Sequence, residues 1–137
     1  MATKPERRRA VTSLPEVVGA VIRYHRRRQN KSQEAVAKAL GIGISTYARI
    51  EAGGTVATVL QLHDIGRQLG RRPSQILREA EDTLTRLRRD NPHLEVKRRR
   101  EPRANNGMVD YLAGAALGAI VAGIAVISAK ALAGEDE

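Results

Sequence analysis

The first thirteen residues are largely polar and basic with no apolar period, and from Pro15 the pattern turns helical. Val17, Val18, Val21 and Ile22 recur at three- and four-residue spacing, the mark of one buried helical face. Asn30 can end that helix in the left-handed conformation Asn tolerates. Ser32 then suits the N-cap of a second helix, Gln33 to Leu40, with Val36, Ala37 and Leu40 inward. Gly41 breaks it, and a third short helix runs from about Ile44 to Ala52, burying Tyr47 and Ile50 and stopping at Gly53-Gly54. Thr58 caps a fourth, with Val59, Leu62, Ile65 and Leu69 on one face and Gly70 after it. Pro73 opens a fifth, with Ile76 and Leu77 inward, reaching about Arg89. The expected class is all-α: a five-helix domain over 14–89, preceded by a disordered basic arm over 1–13 and followed by a basic linker over 90–107.

Charge divides the chain a second time. From Met1 to Asn106 there are 23 basic and 11 acidic side chains; from Gly107 onward Lys130 stands alone against Asp110, Glu135, Asp136 and Glu137. The whole carries a formal +9, which points to polyanionic partners. Without cysteine, disulfides, thiolate metal sites and cysteine nucleophiles are excluded. The three histidines, His25, His63 and His93, are too scattered for a metal or catalytic cluster, so no cofactor, no metal and no enzyme are expected. Few aromatics exist to stack on single-stranded bases.

Two short helices joined at a glycine are the geometry of a helix-turn-helix. Here Ser32-Gln33-Glu34-Ala35-Val36-Ala37-Lys38-Ala39-Leu40-Gly41-Ile42 leads into Gly43-Ile44-Ser45-Thr46-Tyr47-Ala48-Arg49-Ile50-Glu51-Ala52-Gly53. This closely resembles the lambda-repressor-like (Xre/Cro-type) helix-turn-helix family, and the match runs without a gap from Ile22 to Leu77. The resemblance implies a five-helix fold whose third helix enters the DNA major groove. By position, Gln33 would bind a phosphate at the start of the second helix, where a helix N-terminus favours anions. Ile44, Ser45, Thr46 and Arg49 would lie on the exposed face of the third helix, meeting base edges, phosphates and thymine methyls. Glu51 and Tyr47 read as structural. His25, Lys31 and His63 stand where the family usually has Leu, and Gly66 where it usually has Ala, which implies a less apolar core. His25 and His63 could even adjoin.

Basic side chains flank the motif. Arg23, Arg26, Arg27, Arg28 and Lys31 surround the first helix and its end, where family members face the phosphate backbone. Arg7, Arg8 and Arg9 could enter the minor groove as a flexible arm. One recognition helix reads only a few base pairs, so a homodimer on paired half-sites of double-stranded DNA is expected.

Leu112 to Ala129 holds a single polar residue, Ser128. As a helix of 18 residues it would measure about 27 Å, close to the hydrocarbon core of about 30 Å. We therefore expect a hydrophobic, transmembrane helix over 108–133 and an acidic tail over 134–137. Lys97, Arg98, Arg99, Arg100 and Arg103 precede the stretch Leu112 to Ala129 and only Lys130 follows that stretch, so the positive-inside rule leaves the N-terminal domain in the cytoplasm. An Ala-rich oligomerisation helix and an exposed degradation signal are the competing readings of this segment. The functional expectation is a sequence-specific transcription regulator, a repressor of bacterial or phage type, tethered to the cytoplasmic membrane by one span. The alternative is a membrane-anchored adaptor whose helix-turn-helix domain binds protein rather than DNA.

Overall fold

The computed structural model describes residues 10–98. Five helices follow one another: α1 (Leu14–Arg28), α2 (Gln33–Leu40), α3 (Ile44–Ala52), α4 (Val59–Leu69) and α5 (Pro73–Asp90). Two three-residue strands, β1 (Val11–Ser13) and β2 (Glu95–Lys97), flank them and pair in parallel. The five-helix, all-α domain expected from the sequence is the observed one, with this small strand pair added.

Three of the helices, α1, α2 and α4, begin where a hydroxyl partners a free backbone N–H group. The hydroxyls of Ser13, Ser32 and Thr58 accept from the amides of Glu16, Ala35 and Gln61. At Thr58 the Gln61 side chain also accepts from the cap's own amide, completing a capping box. Helix α1 is the central element, packed against α3, α4 and α5. Its Val17, Val21 and Ile22 meet Val36, Tyr47, Ile50, Ile65, Ile76 and Ala80 in one core. The crossing of α1 and α3 is close because Gly19 has no side chain: a Cβ there would stand 2.1 Å from the Glu51 carbonyl oxygen. Gly66 serves the α4–α5 turn in the same way, since a Cβ would stand 2.4 Å from the Arg71 carbonyl oxygen. Alanine, usual at that place in the resembling family, has no room with this turn.

The strand pair corrects both expected ends of the domain. Val11, Thr12 and Ser13 pair with Glu95, Val96 and Lys97, so the arm expected over 1–13 does not extend past residue 10 as unstructured chain. The linker expected from residue 90 begins instead with a turn and β2. Three-residue strands are too short to show alternation, and the buried positions of β1 include polar Thr12 and Ser13, so hydropathy hides them. Three inward assignments also fail. Val59, the first residue of α4, is 88% exposed. Leu77 is 40% exposed because the buried stripe of α5 runs through Ile76, Ala80, Thr83 and Leu87, and the next residue lies about 100° around the helix. His63 is exposed beside Asp64 and does not adjoin His25.

His25 is the polar residue that does enter the core. It is buried, with Nε2 2.6 Å from Glu79 Oε2, while Arg71 reaches the other Glu79 oxygen at 3.3 Å. This trio joins α1, α5 and the turn before α5. Where an apolar side chain would only pack, it fixes three elements by directional contacts.

Among the described residues no helix is long and apolar enough to cross a membrane. The segment 108–133 lies outside the described residues, as do Arg7, Arg8, Arg9, Arg99, Arg100 and Arg103.

Candidate nucleic-acid interface

Helix α2 ends at Gly41 and α3 starts after Gly43, so two short helices meet across a three-residue turn. Helical period then divides the side chains of α3. Tyr47, Ile50 and Glu51 are buried. Ile44, Ser45 and Arg49 are exposed and Thr46 is half-buried. The four residues expected to read DNA therefore share the accessible part of α3. No protein hydrogen bond fixes the Ser45 hydroxyl or the Arg49 guanidinium among the described contacts, which leaves hydroxyl and guanidinium donors for an external acceptor.

The opposite side of α3 is held by one carboxylate. Glu51 is 4% exposed and accepts four hydrogen bonds. Arg26 of α1 donates through Nε at 2.5 Å and Nη2 at 3.1 Å, Gln33 of α2 through Nε2 at 2.8 Å, and Tyr47 through its hydroxyl at 2.8 Å. Arg26 also donates through Nη1 to the Lys31 carbonyl at 2.7 Å. Burial, reinforced by the Glu51 charge, pushes the Tyr47 hydroxyl far above its usual range, so it remains a donor. The hydrogen bond to Glu51 raises the Arg26 guanidinium against the opposing effect of burial. One buried ion pair thus ties α1, α2 and α3 and sets the angle at which α3 is presented.

Two side chains expected to meet DNA are turned inward by this arrangement. Arg26 is only 7% exposed, and its guanidinium is engaged by Glu51 and Lys31 rather than offered to phosphate. The Gln33 side chain likewise turns inward and donates to Glu51 at 2.8 Å. A signal for Arg26 was present in the sequence. It lies four residues after Ile22 and so continues the inward stripe of α1, but its place in a run of arginines suggested surface.

The other expected cations are placed variously. Arg27 is exposed. Arg28 is exposed and donates to the Tyr24 hydroxyl at 3.0 Å. Arg23 is half-buried, with an Nε that has no hydrogen-bond partner among the described residues. Lys31 sends its ammonium to the Gln68 carbonyl near the end of α4, where a helix favours positive charge. Lys97 sits in β2 and Arg98 is exposed beyond it. Among the described residues no three His, Asp or Glu side chains converge as metal ligands would.

Residues 22–76 match a family model described as a helix-turn-helix. That span begins within α1, contains α2, α3 and α4 whole, and ends in the first turn of α5. Comparisons with curated proteins and with solved structures give no match.

Proposed function

We propose that the chain is a sequence-specific, double-stranded-DNA-binding transcription regulator of the Xre type, and that it acts as a repressor. One observation carries this reading: α3 buries Tyr47, Ile50 and Glu51 while offering Ile44, Ser45 and Arg49 to solvent within a matched helix-turn-helix. A helix of this diameter fits the major groove, and hydroxyl and guanidinium groups are suited to base edges and phosphates there. The net charge of +9 supports a polyanionic partner, and Arg27 supplies an exposed cation on α1. Binding as a homodimer follows from the few base pairs one such helix spans. The test is retardation of duplex fragments selected from random sequence, with Ser45→Ala/Arg49→Ala as the comparison. A selected site that wild type prefers and the double variant does not supports the reading.

We further propose that the apolar segment over 108–133 tethers the protein to the cytoplasmic membrane, with the domain on the cytoplasmic side. The support is its length, the near-absence of polar side chains from Leu112 to Ala129 and the cluster Lys97, Arg98, Arg99, Arg100 and Arg103 before it. An arginine at the centre of a span costs about 2.5–3.5 kcal/mol on insertion scales. Ile120→Arg should therefore move the protein to the soluble fraction of carbonate-washed lysate without altering its binding to duplex DNA. Wild type found soluble after gentle lysis overturns the tether and leaves the DNA reading intact.

A further inference from the structure

A groove of about 360 Å³ opens between the start of α1, the end of α3, the α3–α4 connection, α4 and α5. Leu14, Val18, Ile50, Val56, Leu62 and Leu77 supply its apolar wall, and three of these remain well exposed: Leu14 and Leu77 at 40% and Val56 at 53%. The polar side chains along it are Thr55 and Arg98. Small-molecule sites usually add several convergent polar groups to such a wall, and this one offers few. An apolar stretch of polypeptide suits it better.

Arg98 itself lines this groove, so the residues that follow it in sequence start from the groove's edge. Thirteen residues, Arg99 to Tyr111, separate it from the apolar segment, enough to reach up to about 45 Å when extended. A domain of this size has a radius of gyration of only about 12 Å, so a linker of that reach covers the short way back to the groove. Within the segment Leu117, Ile120, Val121 and Ile124 follow the i, i+3, i+4, i+7 spacing by which a helix lays one face into a groove. The smaller Ala and Gly residues occupy the intervening positions.

We propose that, in water, this groove receives the chain's own C-terminal apolar segment through the Leu117–Ile124 stripe. The groove is too small to cover the whole segment, so it shelters only that stripe, and a bilayer competes for the same residues. The proposal goes beyond DNA recognition and holds whether or not the segment spans a membrane.

The natural absence of cysteine permits a direct test on the full chain. Leu77→Cys with Leu117→Cys, and Val56→Cys with Ile124→Cys as a second pair, are oxidised under mild conditions in detergent-free buffer. Glu34→Cys with Leu117→Cys is the control, because Glu34 is exposed on α2, which contributes nothing to the groove wall. Thermal unfolding of each reduced variant confirms that it folds as wild type does. The groove pairs should form an intrachain disulfide rapidly, while the control remains largely reduced. A control that oxidises as fast as the groove pairs overturns the proposal, as does an interchain product alone, which would give the groove to a second copy. Phosphatidylserine-containing vesicles should then suppress the intrachain product. Its persistence with vesicles supports the groove and contradicts the membrane tether, so the two readings fail separately.

Discussion

The seam where α1, α2 and α3 meet and the outer face of α3 both carry polar side chains, in opposite circumstances. In the seam, the Glu51 carboxylate is closed off from water and accepts from Arg26, Gln33 and Tyr47. On the outer face, Ser45 and Arg49 stand in solvent. The neighbours Arg26 and Arg27 show how little sequence distance separates the two roles: one is 7% exposed and bonded to Glu51, the next is exposed. Charge alone therefore does not mark a DNA contact in this protein. A buried charge holds α3 in place, and exposed groups remain on its outer face for the contacts proposed above.

Breaking the seam should produce the largest effect. Glu51→Ala leaves the Arg26 guanidinium buried without its partner, which typically costs about 3–5 kcal/mol. Urea unfolding measures it. Replacing both members, Arg26→Met with Glu51→Leu, should cost less, because apolar side chains of similar volume carry no charge to desolvate and the Tyr47 hydroxyl is the fully buried donor left without its acceptor. If the single and double variants are equally destabilised, the seam contributes packing rather than an ion pair.

The crossing beneath the seam gives the next effect. Gly19→Ala places a Cβ against the Glu51 carbonyl and forces α1 and α3 apart, at about 1–3 kcal/mol for overpacking. A drop in melting temperature with weakened DNA binding is expected. Unchanged melting would mean that the helices separate without strain.

The exposed face should behave in the reverse way. Arg49→Ala should alter unfolding free energy by no more than about 0.5 kcal/mol, as for surface substitutions generally. Its preference for a selected duplex should fall by about 1–3 kcal/mol if the guanidinium reads a base. Competition between selected and random duplexes at fixed salt separates these quantities.

The smallest effect is sought at Arg27. Arg27→Ala should weaken binding to selected and random duplexes alike and reduce the salt slope by about 0.9, the contribution of one phosphate contact. An unchanged slope would leave Arg27 as a solvated surface charge.

Much of this arrangement was legible in the sequence. The helix bounds around the turn follow from Ser32, Gly41 and Gly53, and the burial of Tyr47 and Ile50 from their spacing. What escaped has physical reasons. Arg26 lies on an apolar stripe, but basic residues in a run suggest solvent, and its partner is 25 residues distant. The β1–β2 pair joins segments from opposite ends of the domain, and neither strand is long enough to announce itself. His25 was placed inward by the family resemblance, which has Leu there, yet its partner Glu79 could not be named because their contact depends on how α1 meets α5. Tertiary pairing of polar groups leaves no local period to read.

The central claim is that α3 reads DNA sequence through its exposed face while the Glu51 seam only holds it in place. Its most direct test is selection from a random duplex library by the full chain, repeated with Ser45→Ala/Arg49→Ala and accompanied by thermal unfolding of both. Wild type should enrich a defined site, and the double variant should retain the wild-type melting temperature yet enrich none. Enrichment of the same site by both proteins, or no duplex binding by wild type even at low salt, would contradict the account.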